Sequence, residues 1–472
     1  MVFSSSLFLF SFLPVFLLVY FLTPQRFKNW VALTASLLFY AFGAPKFIFL
    51  VLISIGIDFF LAKKMPNAGK GKKKLLILSM VLNLGMLFYF KYFNFFIDNV
   101  SFLLESFGWK AASWHRIALP IGISFFTFQK MSYTIDVYRD RHAPLKKLSD
   151  FMLYILLFPQ LIAGPIVRYT EIADQLVDRA ENDKFAHRVS GFMVFSIGLA
   201  KKVLIANMLG AEVDRYLGAD IGSMSTGLSW IVMIGYSLQI YFDFSGYSDM
   251  AIGIGRMIGF RFPENFNNPY ISRNISEFWQ RWHITLGAWM KDYLYIPLGG
   301  NRVKSRNRLY FNLSVVFVLS GLWHGASWNF VLWGAYHGLF LILDRMFYAK
   351  WSEKIGRLPA MIINSVVVLV GWVFFRLEYF SDAVKMLKNL AGFGGYAASD
   401  LSAEFIFILP IALFFAFVRV LPGSNRIQAW VFEPTEGTGR LAAFSFISIA
   451  LVILSAAFIT SSGFNPFIYF RF

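Results

Sequence analysis

Long apolar stretches recur along this chain from residue 3 to residue 460, with no polar block of domain size between them. A bilayer core needs about 20 apolar residues per helix, fewer where neighbouring protein shields a short one. Twelve segments meet that need, near residues 3–22, 30–43, 47–62, 75–90, 119–137, 189–209, 227–245, 309–323, 328–345, 359–375, 403–418 and 441–460. Only 15% of the residues are charged, against about 25% in a soluble domain. The chain therefore reads as an all-α, polytopic transmembrane protein, one membrane domain over 1–472 with 11 or 12 spans. The N-terminal apolar stretch lacks a basic leader and a small-residue cleavage site, and reads as a retained first span.

Two apolar regions are interrupted. Residues 151–166 carry Pro159, Gly164 and Pro165, and residues 274–299 carry Arg281, His283, Lys291 and Asp292. Non-helical backbone at membrane depth is tolerated only where protein or a water-filled cavity satisfies its polar groups. Both regions are expected to enter the membrane and return, lining a central cavity.

The net charge of +17 does not indicate nucleic acid, because the basic residues fall in short clusters between apolar segments. Lys and Arg favour the cytoplasmic side. With both termini outside, 32 of the 44 lie in inward-facing segments, nine in outward-facing ones and three within spans. The run from Lys63 to Lys74 is then a solvated cytoplasmic loop near anionic lipid.

The chain contains no cysteine, which excludes disulfides, a thiol nucleophile, palmitoylation and Cys-ligated zinc. It contains no phosphate-binding glycine loop, no His-Glu-x-x-His and no Gly-x-Ser-x-Gly elbow. ATP-driven transport, zinc hydrolysis and a self-contained serine triad lose support.

Polar groups inside a membrane are costly and ask for an explanation. His324, in Gly321-Leu322-Trp323-His324-Gly325, sits at the junction of two spans. It is either the base that takes a proton from a hydroxyl nucleophile during acyl transfer or a hydrogen-bond partner in helix packing. His283 falls in the most basic inward-facing region, which places it near the cytoplasmic face, with His324 toward the other. It either lines a passage through the membrane or pairs with a lipid phosphate. His337, inside a span, reads as a supporting hydrogen-bond partner. Asp243 and Asp249 either orient a histidine or pair with Lys201 and Lys202, and pairing is the simpler account. Arg168, after Gly164-Pro165, either binds a donor phosphate or anchors at the interface.

Arg281-Trp282-His283-Ile284-Thr285, Asp292-Tyr293-Leu294-Tyr295-Ile296-Pro297-Leu298-Gly299-Gly300-Asn301-Arg302 and Gly321-Leu322-Trp323-His324-Gly325 together resemble the signature of bacterial membrane-bound O-acyltransferases. The alginate O-acetylase and peptidoglycan O-acetyltransferase branch is the most similar. Pro120-Ile121-Gly122, Leu161-Ile162-Ala163-Gly164-Pro165 and Tyr241-Phe242-Asp243-Phe244-Ser245-Gly246-Tyr247-Ser248-Asp249 add to the likeness, which is concentrated in residues 1–345.

The resemblance implies that His324 is the essential histidine and His283 the second one. Arg281, Trp282 and Arg168 are the candidate donor-binding residues, and His337, Asp243, Asp249 and Trp323 the candidate supporting ones. The implied donor is acetyl-CoA, entering from the cytoplasm of a bacterial inner membrane, with no permanently bound cofactor or metal. Residues 346–460 would supply the C-terminal spans. The tail 461–472 contains Phe467-Ile468-Tyr469-Phe470-Arg471-Phe472, which resembles the C-terminal motif of the small partner in teichoic-acid D-alanyl transfer. That likeness implies Tyr469 as an outward-facing acyl acceptor, from which an extracytoplasmic SGNH-type acetyltransferase would acetylate a cell-surface polysaccharide. The other reading is a transporter or flippase of a lipid-linked sugar, in which the cavity moves substrate without acyl chemistry.

Overall fold

Every one of the twelve apolar segments is helical in the computed structural model, and its described residues, 2–110, 114–396, 400–433 and 437–462, contain no β-strand. The protein is an all-α polytopic membrane protein. Among the described residues, seven helices are long and apolar enough to cross a membrane, with Phe8–Leu22 as a shorter apolar one. Tyr469 lies outside the described residues.

The described residues gather into two units. One comprises Phe10–Asn182 with Ile258–Phe262. It contains α1 (Leu13–Leu22), α2 (Lys28–Gly43), α3 (Ile48–Lys64), α4 (Lys72–Leu87), α5 (Phe93–Ser106), α6 (Ile123–Tyr138), α7 (Leu148–Leu156), α8 (Phe158–Leu161) and α9 (Tyr169–Val177). The predicted break in 151–166 falls between α7 and α8, at Leu157 just ahead of Pro159.

Only 16 residues long, α6 packs against α3 and α4 with nearly every side chain buried. Its Lys130 would be intolerable there without a partner. Asp58 supplies one 3.5 Å away, and both side chains are almost wholly buried. Ser79 and Asn83 donate to the two Asp58 oxygens at 2.6 and 2.8 Å, and Lys130 donates to Ser54 Oγ at 3.0 Å. Hydrogen bonds thus reach both members of the charge pair, which lets a low-polarity interior hold it.

The other unit comprises Val2–Leu9, Asp183–Met257 and Pro263 onward. Its helices are α10 (Phe185–Ala200), α11 (Asn207–Leu217), α12 (Thr226–Met257), α13 (Ile275–Arg281), α14 (Ile284–Met290), α15 (Arg306–His324), α16 (Trp328–Leu343), α17 (Ala349–Lys354), α18 (Arg357–Arg376), α19 (Phe380–Lys388), α20 (Ala403–Phe417), α21 (Ser424–Phe432) and α22 (Thr438–Ser462).

With 32 residues, α12 spans about 48 Å at 1.5 Å per residue, more than a hydrocarbon core. Residues from Gly235 to Ser248 are buried without a break, so protein surrounds this helix on every face. Gln239, Asp243 and Asp249 place polar groups along this helix, which lowers its mean hydropathy below that of the seven most apolar helices.

Four glycines bring α10 and α12 together. A Cβ on Gly198 would lie 2.5 Å from the Gly246 carbonyl oxygen, and one on Gly191 would lie 2.7 Å from that of Gly253. Gly191 facing Gly253 and Gly198 facing Gly246 make the pair antiparallel, with backbones closer than any side chain permits. Within a membrane such small-residue contact is a main source of helix association, since lipid offers no hydrophobic drive between helices.

Candidate active site

The chain between α12 and α13 is irregular apart from a single turn at Pro269–Ile271. Its backbone polar groups are satisfied locally: Asn267 N donates to the Arg281 carbonyl at 2.9 Å, and Ile284 N to the Asn265 carbonyl at 3.0 Å. Helix α13 begins at Asn274, whose side chain caps Glu277 N, and ends at Trp282. The chain then turns through His283, held at φ 46° in the left-handed region that non-glycine residues seldom adopt, and continues into α14. Backbone strain of this kind persists only where surrounding contacts fix it.

Those contacts come from Asn265, itself buried. Its Oδ1 accepts from Thr285 N at 3.3 Å and Thr285 Oγ1 at 2.9 Å, and lies 3.1 Å from His283 Nδ1. Asn265 Nδ2 donates to Ser248 Oγ on α12 at 3.0 Å. Next to Asn265, the Glu264 carboxyl is pushed above its usual range by burial first and by the Asp249 charge second, against the pull of Arg419 and Lys201.

His324 closes α15, and Gly325 follows in extended conformation. Glycines again set the approach of α15 to α16: a Cβ on Gly321 would collide with the Phe330 carbonyl, and one on Gly334 with that of Phe317. This tight crossing holds His324 against Trp333 (5.1 Å between ring centroids), Phe375 (5.2 Å) and Trp323 (5.0 Å). His283 lies 6.3 Å from His324, centroid to centroid, and meets Phe244 of α12 edge to face at 4.7 Å. Both imidazoles are buried, and His283 Nε2 has no hydrogen-bond partner among the described residues.

The sequence places these histidines toward opposite faces of the membrane; the structure sets them side by side. The reason is that α13 and α14 fold back, so that the turn at His283 lies beside the C-terminal end of α15 and not at the end of a span.

His337 is fully buried a further ring away, edge to face with Trp279 (5.0 Å) and Trp333 (5.1 Å). Neither of its ring nitrogens has a hydrogen-bond partner among the described residues. Trp282 packs into the same aromatic wall, 4.8 Å from Trp372 and 5.1 Å from Phe266.

Other predicted site residues are engaged elsewhere. Asp243 pairs with Lys202 at 2.6 Å and Asp249 with Lys201 at 2.6 Å, the two lysines opening a π-helical turn, Lys201–Ala206. These ion pairs tie α12 to the π-helical turn that follows α10. Arg281 binds Glu277 Oε1 at 3.0 Å and the Asn267 carbonyl at 3.1 Å, so it braces the turn that carries His283. Arg168, in the other unit, is at the N-terminus of α9 with Glu171, 2.6 Å from its guanidinium.

Sequence reading did not single out Asn265, Thr285 or Trp279. Asn265 stands in Asn265-Phe266-Asn267-Asn268-Pro269, a composition that signals an exposed loop, and its burial is visible only in the folded protein.

Two buried imidazoles, one with a ring nitrogen committed and the other nitrogen open, in a wall of aromatic rings, suit proton transfer to and from a small group within reach of both. A profile of MBOAT, the membrane-bound O-acyltransferase family, matches residues 99–378, a range that contains His283, His324 and His337. The chain belongs to this family.

Curated relatives agree. The chain is 40% identical over the whole length of both chains to a probable alginate O-acetylase, AlgI, of Azotobacter vinelandii. It is 40% identical to a peptidoglycan O-acetyltransferase of Helicobacter pylori, covering 86% of this chain and 82% of that one. A teichoic acid D-alanyltransferase of Bacillus subtilis is 30% identical over 57% of this chain and 70% of its own. This MBOAT protein is a multi-pass membrane O-acyltransferase.

Proposed function

We propose that the protein takes an acetyl group from cytoplasmic acetyl-CoA and delivers it across the bacterial inner membrane for O-acetylation of a cell-surface polysaccharide. The observation that carries the reading is the adjacency of His283 and His324 in a chain whose full-length relative is named an alginate O-acetylase. In this reading His324 removes the proton of an acceptor hydroxyl as its oxygen attacks the thioester carbonyl. The carbon–sulfur bond breaks, the thiolate of CoA takes a proton, and an oxygen ester forms in place of the thioester.

The acceptor hydroxyl is that of Tyr469, a phenol that is almost wholly protonated near neutral pH and so needs a base. The distribution of Lys and Arg supports an orientation with both termini outward, in which the acetyl-tyrosine faces the outer side. An SGNH-type acetyltransferase there would pass the acetyl to the polymer, alginate and peptidoglycan being the two named by relatives.

The test is incubation of purified protein in detergent with acetyl-CoA labelled in the acetyl group, comparing wild type, His324→Ala and Tyr469→Phe. Label on the wild type alone, mapped to the C-terminal peptide, is expected. Labelling of Tyr469→Phe equal to wild type would exclude the tyrosine relay. Absence of CoA release from every form, with a partner protein supplied, would favour the transporter.

A further inference from the structure

We infer that Asn265 is a positioning residue that fixes the tautomer of His283, presenting a lone pair at Nε2, and that Ser248 in turn holds Asn265. The inference rests on the reading of His283 as a member of the reacting pair.

A backbone N–H can only donate, and Thr285 N faces the Asn265 side-chain atom 3.3 Å away. That atom is therefore the amide oxygen, which settles the orientation of an amide whose two ends are otherwise interchangeable. The Thr285 hydroxyl donates to the same oxygen at 2.9 Å, and the amide nitrogen is left facing Ser248 Oγ at 3.0 Å, an acceptor.

His283 Nδ1 lies 3.1 Å from that oxygen. An oxygen without a hydrogen cannot donate, so Nδ1 carries the proton. In neutral imidazole the other nitrogen then bears the lone pair. Nε2, buried and without a hydrogen-bond partner among the described residues, is in the form a proton acceptor requires.

The same residue fixes the backbone. Asn265 accepts Ile284 N on its own carbonyl while its side chain grips Thr285, so it holds the residues on the C-terminal side of His283 in the left-handed turn. Phe244, four residues before Ser248 on α12, closes the face of the ring. Helix α12, locked by Lys202–Asp243 and the glycine contacts, thus sets ring orientation through Phe244 and tautomer through Ser248 and Asn265. Of the titratable side chains near this turn, His324 packs against His283, and Glu264 adjoins Asn265 within reach of the Asp249, Arg419 and Lys201 charges.

The experiment uses the full chain with histidine labelled in both ring nitrogens, and compares wild type with Asn265→Leu and Asn265→Asp by nitrogen NMR and by the pH profile of acyl transfer. Wild type is expected to show His283 protonated at Nδ1 and bare at Nε2. Asn265→Leu is expected to populate the opposite tautomer. Asn265→Asp, nearly isosteric, places a carboxylate against Nδ1–H and stabilises the imidazolium, so the acidic limb of kcat/KM should move to higher pH by about 1–3 units.

Unchanged His283 nitrogen shifts in Asn265→Leu, or an Asn265→Asp profile lowered in height with its limb unmoved, would overturn the assignment. The NMR arm needs no donor. Failure of acetyl-CoA turnover in wild type with the expected tautomer present would therefore count against the proposed reaction and not against Asn265.

Discussion

The imidazoles of His283 and His324 lie 6.3 Å apart although one sits at a left-handed turn between two short helices and the other ends a 19-residue helix. At that separation a single small group lying beside the two rings is within reach of both. Proton removal from an acceptor and proton return to a leaving group can then be shared within one site.

If the two histidines act as a unit, their removal is not additive. His324→Ala and His283→Ala should each lower acyl transfer by about 10²–10⁴-fold, and the double variant should fall little further. Release of CoA by the three variants in detergent measures this. Losses that multiply would mean the two act in separate steps.

The glycine contact between α10 and α12 should be intolerant of a methyl group. Gly198→Ala and Gly246→Ala each place a Cβ within 2.5–2.7 Å of the facing carbonyl oxygen and should cost about 1–3 kcal/mol. Gly227→Ala, on the same α12 with nothing within 4 Å, is the control and should be neutral. Thermal unfolding of the three in detergent compares them directly.

Asp58 and Lys130 should show strong coupling. Asp58→Asn or Lys130→Met alone leaves a buried charge unpaired, at about 3–5 kcal/mol, while the double variant should be milder than either. A double-mutant cycle on unfolding reads the coupling, and additive losses would show that the surrounding hydroxyls, not the pair, carry the stability.

Gly371 leaves room for His337, because a Cβ there would lie 2.5 Å from its Nε2. Gly371→Ala should displace that ring and the tryptophans packed on it, lowering transfer by up to about 10²-fold in a folded protein. The same substitution in a His337→Phe background tests the route: an undiminished loss there would show that Gly371 acts on α16 in some other way.

The sequence by itself determined the class of protein, because apolar length is a local property and twelve such segments admit few alternatives to membrane helices. It also marked 151–166 and 274–299 as interrupted, since proline, glycine and charge disturb an apolar helix wherever they stand, while the folded chain set the breaks at Leu157 and at Trp282–His283. The motif around His324 carried the family. Tertiary structure decided what depends on residues far apart in the chain. It gave Asp243 and Asp249 to lysines, turned Arg281 toward Glu277, buried a loop-like asparagine and brought His283 beside His324. Hydropathy and spacing describe each segment against its solvent, whereas these pairings depend on which helices touch, and the glycines that set the contacts carry no side chain to announce them.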